Sequence, residues 1–94
     1  MGHLIPAKVR FLLPEEGGRL DPMRDGSRSQ LKIGEVYTSC IVNSASEATI
    51  FDAGVEYDVL IDVIFWNEYA SQFDEKAQLQ LYEGRRIVAT GTFL

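Results

Sequence analysis

Between Val55 and Phe65 the chain alternates: the odd positions Val55, Tyr57, Val59, Ile61, Val63 and Phe65 are apolar, while the even ones read Glu56, Asp58, Leu60, Asp62 and Ile64. Successive side chains of an extended chain point to opposite faces, so this segment predicts one long strand with a continuous apolar face and a second face that starts acidic. Such a strand at ~3.3 Å per residue would reach ~36 Å, which is long for a flat element in a domain of 94 residues. It must bend or coil, as strands do in a closed barrel.

The same pattern recurs along the chain. Ala7 to Leu13 places Val9, Phe11 and Leu13 on one face and Lys8 and Arg10 on the other. Gln30 to Ile33 and Val36 to Val42 read as strands with a kink at Gly34 between them, and Ala48 to Phe51 as a short strand closed by Asp52-Ala53-Gly54. Ala77 to Tyr82 and Arg86 to Phe93 flank Glu83-Gly84-Arg85, a Gly-containing connection that signals a hairpin. Asn67 to Lys76 is expected to be a loop with one helical turn. Six or seven short strands with no long helix to cover a sheet predict an all-β barrel or sandwich, and the coiling argument favours the barrel. The expected organisation is an N-terminal tail over residues 1–6 and a single barrel over residues 7–94. Pro14 to Arg28, with Gly17, Gly18, Gly26 and Pro22, is a long connection of the kind that often carries function.

Composition narrows the function classes. A lone Cys40 forms no intramolecular disulfide, and Met1 to Pro6 lacks the charged and apolar regions of a secretory signal. The longest nearly apolar run, Val59 to Trp66, is too short to cross a bilayer. A cytoplasmic protein is expected, with Cys40 as a small buried hydrophobe. The single His3, read as part of a frayed terminus, and Cys40 supply no metal-ligand set. No nucleophile elbow or phosphate-binding loop is present, so neither catalysis nor a cofactor is expected. A net charge of -5 opposes non-specific attraction to nucleic acid. Arg19, Arg24 and Arg28 in the long connection, and Arg85 and Arg86 at the last hairpin, would form a local positive patch if the fold brings them together. Glu56, Asp58 and Asp62 share one strand face, either as a solvated surface or as a dock for a basic partner. Trp66, Tyr69 and Phe73 form a separate aromatic group.

Three stretches carry a family resemblance. Val9-Arg10-Phe11-Leu12-Leu13-Pro14-Glu15-Glu16-Gly17-Gly18-Arg19, then Gly26-Ser27-Arg28-Ser29-Gln30-Leu31, then Glu83-Gly84-Arg85-Arg86-Ile87-Val88-Ala89-Thr90-Gly91, in this order and spacing, resemble the C-terminal (third) β-barrel domain of translation elongation factor Tu over nearly the whole chain. The resemblance implies a six-stranded closed antiparallel barrel that is not catalytic and that contacts protein partners and the T stem of transfer RNA. It carries RNA-contacting roles onto Arg19, Gln30, Glu83 and Gly84, and onto Ser39, a hydroxyl where the family has Thr; Gly18, Arg28 and Arg86 beside them complete the candidate RNA or partner contacts. Arg suits a phosphate, Gln and Ser suit phosphate or ribose, and Gly84 would admit a close backbone.

The departures matter equally. Leu20 replaces the family's His, Asp21-Pro22-Met23-Arg24 replaces its Thr-Pro-Phe-Phe, Ser27 and Ser29 replace Tyr and Pro, and Phe65 to Lys76 lacks its pattern. The 94 residues contain neither the family's GTP-binding domain nor its middle domain, so no GTP binding is expected of them. The expectation is therefore a non-catalytic module that binds a protein partner. The alternative is weak binding of structured, transfer-RNA-like RNA through Arg19, Gln30 and Glu83 to Arg86.

Overall fold

The computed structural model describes residues 3–94. Its strands are β1 (His3–Phe11), β2 (Met23–Arg24), β3 (Ser27–Ile33), β4 (Val36–Ser44), β5 (Ile50–Phe51), β6 (Glu56–Val63), β7 (Leu79–Glu83) and β8 (Arg86–Phe93). Six of them close a barrel in the order β1-β6-β4-β3-β7-β8, and β2 and β5 form a separate two-stranded ribbon. Every barrel pairing is antiparallel. The all-β, six-stranded closed barrel expected from the sequence is the fold observed.

Alternation sets the barrel's inside and outside. Val59, Ile61 and Val63 of β6 are buried with Ile5, Ala7, Val9 and Phe11 of β1, Leu31 and Ile33 of β3, Cys40 and Val42 of β4, and Leu79 and Leu81 of β7. β6 is shorter than the alternation suggests, because Val55 and Phe65 lie outside the strand and are exposed. In β8 the period breaks: Val88 and Ala89 are both buried, and the register against β7 shifts between Leu81 and Tyr82. A bulge of this kind adds a residue to one strand and sharpens its bend. The Val88 carbonyl thereby accepts the Leu12 N–H at 2.9 Å.

Three expectations are corrected. The tail over residues 1–6 is strand from His3 onward, in register from His3 opposite Val63 to Pro6 opposite Leu60, and Met1 and Gly2 lie outside the described residues. Pro6 fits because its carbonyl faces the β8 side and accepts from Leu94, where β8 has run out and a missing N–H breaks no ladder. His3 is not frayed: its ring stacks on Trp66 at 4.2 Å. Gly34 marks not a kink between the two strands but the tight turn of the β3–β4 hairpin, with φ 59°.

The two barrel ends are closed differently. At the end where β1 starts, α1 (Trp66–Tyr69) and a 3-10 turn (Ala70–Gln72) carry the expected helical segment across. There Trp66 meets Phe73 at 5.3 Å and Phe73 meets Phe93 at 4.8 Å. At the opposite end the β2–β5 ribbon inserts Met23 and Phe51, both buried, and Phe51 stacks on Phe11 at 5.1 Å. The Tyr57 hydroxyl accepts the Asp52 N–H at 2.8 Å and ties the ribbon to β6. Much of the long Pro14 to Arg28 connection is thus a structural plug.

The entry to this connection is held by a carboxylate. The Glu16 carboxylate accepts the Leu13 N–H at 2.8 Å and pairs with Arg10 at 3.1 Å. The backbone donor first, and Arg10 second, hold the Glu16 carboxyl below its ordinary value of 4.5. A depressed carboxyl stabilises the fold above its unfolded-state value, and that contribution is lost as pH falls through the folded-state value. Chemical denaturation of Glu16→Gln is expected to show a shallower loss of stability than wild type below pH 4.5. Parallel profiles for the two proteins would refute the assignment.

Cys40 is buried in β4, as expected. Burial pushes its thiol up from 9.0 to about 12, with nearby Asp62 adding to the rise and a backbone hydrogen bond from Ser29 opposing it. The thiolate is the reactive form. Native protein should therefore resist iodoacetamide at neutral pH and react fully in denaturant; rapid native alkylation would contradict this packing.

Candidate functional site

The antiparallel order brings the two arginine-bearing segments to one barrel end, where β1 finishes, β3 begins and the β7–β8 hairpin turns. Arg19, Leu20, Asp21, Glu83 and Arg86 line a shallow pocket of about 230 Å³ there. Arg19 pairs through Nη1 with Glu83 Oε2 and donates from Nε to the Asp21 carbonyl at 3.2 Å. Two of the candidate contact residues thus neutralise each other. Both side chains are about one-third exposed (32% and 30%), so the pair adds on the order of 1 kcal/mol at most. Its larger effect is geometric, because it fixes the connection against the last hairpin across 64 positions.

Arg24, Arg28, Arg85 and Arg86 are exposed, and none has a carboxylate within 4.0 Å among the described residues. The basic group is therefore divided: Arg19 is engaged, while these four are open to a ligand. Gln30 lies in register with Ser39 on β4 and with Tyr82 on β7, and Arg28 lies one row along opposite Ile41. The barrel wall thus brings Arg28, Gln30 and Ser39 together, with Gln30 next to the strand that carries Glu83.

The two candidate glycines have different local reasons. Gly18 is buried, and a β-carbon there would fall on the Leu12 carbonyl, 2.6 Å from its carbon. The close backbone it admits is the chain's own. Gly84 occupies the last hairpin with φ 62° and nothing within 4 Å of a β-carbon position, so the turn itself accounts for the residue.

Beside the arginine rim runs a groove of about 190 Å³, lined mainly by Phe11, Leu12, Pro22, Met23, Phe51 and Val88, with Arg19, Asp21 and Asp52 at its polar margin. Leu20 stands at its lip, 86% exposed. Sequence reasoning noted Leu20 only as a departure from a family pattern. The available signal was an isolated large apolar residue in a polar, Gly- and Pro-rich connection; the floor, drawn from four separate segments, had no local signal.

No family model matches the chain. No curated protein matches it either. No helix among the described residues is long and apolar enough to cross a membrane.

Proposed function

We propose that this chain is a non-catalytic interaction module that binds a protein partner at the barrel end carrying Leu20. The observation that carries the reading is the exposed Leu20 at the lip of the apolar groove. A monomeric surface gains nothing by holding a leucine in water beside uncovered apolar atoms, whereas a partner that covers both gains apolar burial. Size favours the same reading: about 190 Å³ is smaller than the roughly 300–1,000 Å³ of metabolite-sized pockets and suits an inserted side chain. The polar margin of Arg19, Asp21 and Asp52 would supply the rim of such an interface. The resemblance to the third domain of elongation factor Tu supports a cytoplasmic, translation-related partner.

Crosslinked capture from native lysate, with and without ribonuclease, tests the proposal. A specific protein partner insensitive to ribonuclease and lost with Leu20→Glu is expected. No specific protein at any salt, or capture unchanged by Leu20→Glu, would sink it.

The second reading, weak binding of transfer-RNA-like RNA, is favoured by the four open arginines and by the Arg28, Gln30 and Ser39 wall. Phosphate contacts make such binding salt-dependent, and each lost arginine contact lowers the salt slope by about 1. Titration with transfer RNA at low salt should then show an affinity that falls in Arg28→Ala and Arg86→Ala. Absence of binding at low salt removes this reading.

A further inference from the structure

The face of β6 that begins acidic does not behave as one surface. Asp58 is in register with Lys8 and its carboxylate lies 3.8 Å from the Lys8 ammonium. Glu56 is opposite Arg10. Asp62, at the other end of the strand, is in register with Leu4 on β1 and Ile41 on β4, and the next outward row is Pro6, Leu60 and Asn43. Asp62 Oδ1 is buried with no hydrogen-bond donor, and no cation approaches the carboxylate within 4.0 Å among the described residues. Around it, Leu4 is 55% exposed, and Ile41 and Leu60 are half-buried. The half-buried Asp62 thus keeps one carboxylate oxygen without a donor, and an unpaired buried polar atom is a cost that functional sites commonly carry.

We infer that this wall of β1, β6 and β4 docks a protein segment that sets an arginine or lysine against Asp62 and apolar side chains against Leu4, Ile41 and Leu60. Charge complementarity selects the occupant. A cation complements the unpaired carboxylate, and apolar groups beside that cation complement Leu4, Ile41 and Leu60. Arginine suits the position best, because a guanidinium is weakly hydrated and forms a fork that matches a carboxylate. A nucleic acid is disfavoured because phosphate would meet a carboxylate with no cation beside it. The surface lies on the barrel wall toward the end opposite the Leu20 groove, so the inference does not rest on the proposal made for that groove.

The test uses random-sequence peptides displayed on phage and selected on the full barrel. Each selected peptide is then synthesised and measured on wild type and on Asp62→Asn, Leu4→Lys and Leu20→Glu. The expected class carries Arg or Lys beside a large apolar residue, weakens at least about tenfold with Asp62→Asn and with Leu4→Lys, and binds Leu20→Glu as it binds wild type. The tenfold expectation corresponds to a charge-assisted hydrogen bond. Thermal unfolding of Asp62→Asn should begin no earlier than that of wild type, since the substitution removes an uncompensated charge. Selection of no peptide sensitive to Asp62, or of peptides sensitive only to Leu20→Glu, overturns the inference. So does an early-melting Asp62→Asn protein with binding intact in Leu4→Lys, which would make Asp62 structural. A concentration-dependent dimer in sedimentation that Asp62→Asn dissolves would also overturn it, by assigning the wall to a second copy.

Discussion

Gly91→Ala is expected to cost about 3 kcal/mol, the upper end for overpacking a packed interior, and to lower the thermal midpoint by roughly 12 to 24 °C for a domain of this size. Gly91 sits in β8 opposite Val9 on one side and Leu79 on the other. A β-carbon there would fall on the Lys8 carbonyl oxygen and 2.9 Å from the Val9 α-carbon. Those are backbone atoms of a paired strand, so relief requires β1 and β8 to separate rather than a rotamer to change. Gly91 itself is half-buried, and the neighbouring inward positions Ala7 and Ala89 are small and fully buried. Small residues along this seam let a six-stranded barrel close tightly, and strand glycines commonly mark such backbone approaches. Gly84→Asn is the matched control: its site is open and its positive φ is one that Asn tolerates, so the loss should stay within about 1 kcal/mol. Differential scanning calorimetry of the two variants checks both statements. A midpoint for Gly91→Ala within a few degrees of wild type would show that the seam is looser than described.

Phe51→Ala should cost about 3–5 kcal/mol, the range for deleting a buried aromatic side chain. Phe51 is fully buried, stacks on Phe11 and meets Tyr57 edge-on at 5.1 Å. The effect should also be local in a specific way. Phe51 pairs with Met23 in the ribbon and lines the floor of the Leu20 groove, so its loss should release the ribbon and raise amide exchange from Met23 to Arg24 as well as at Ile50. Ile50→Ala, one residue away on the exposed face, is expected to stay within about 0.5 kcal/mol, as surface substitutions usually do. Urea denaturation distinguishes the pair. Equal losses in the two variants would mean that the ribbon, rather than its buried side chain, carries the stability.

These two sites mark the limits of sequence reading for this chain. Period-2 alternation makes β1 and β6 legible, because one buried face writes itself into every second residue. The last hairpin was legible from Gly84, because its turn needs a conformation that glycine adopts freely. The ribbon was not: Met23–Arg24 and Ile50–Phe51 are too short to show a period, and their pairing is decided by the cavity they fill. Val88 escaped for the opposite reason, since a bulge is a departure from the period that reveals strands. The open arginines could be named from the sequence, but the engagement of Arg19 by Glu83 could not, because it depends on how the barrel ends meet. Asp62 was grouped with Glu56 and Asp58 by parity alone; only register against Leu4 and Ile41 separates it from the acids that face Lys8 and Arg10.

The strand order has a consequence for how the chain is made. β1 pairs with β6 and with β8, so both of its neighbours follow it in the chain, and β8 follows every other strand of the barrel. Local hairpins such as β3–β4 can form early, but the seam cannot close until β8 has been made. A nascent chain stalled before Arg86 would present the open sides of β1 and β7 as unpaired edges, the kind of surface on which strands of other chains add. For this barrel, the arrival of the eight-residue strand β8 is therefore the step that separates a barrel able to close from one exposed to aggregation.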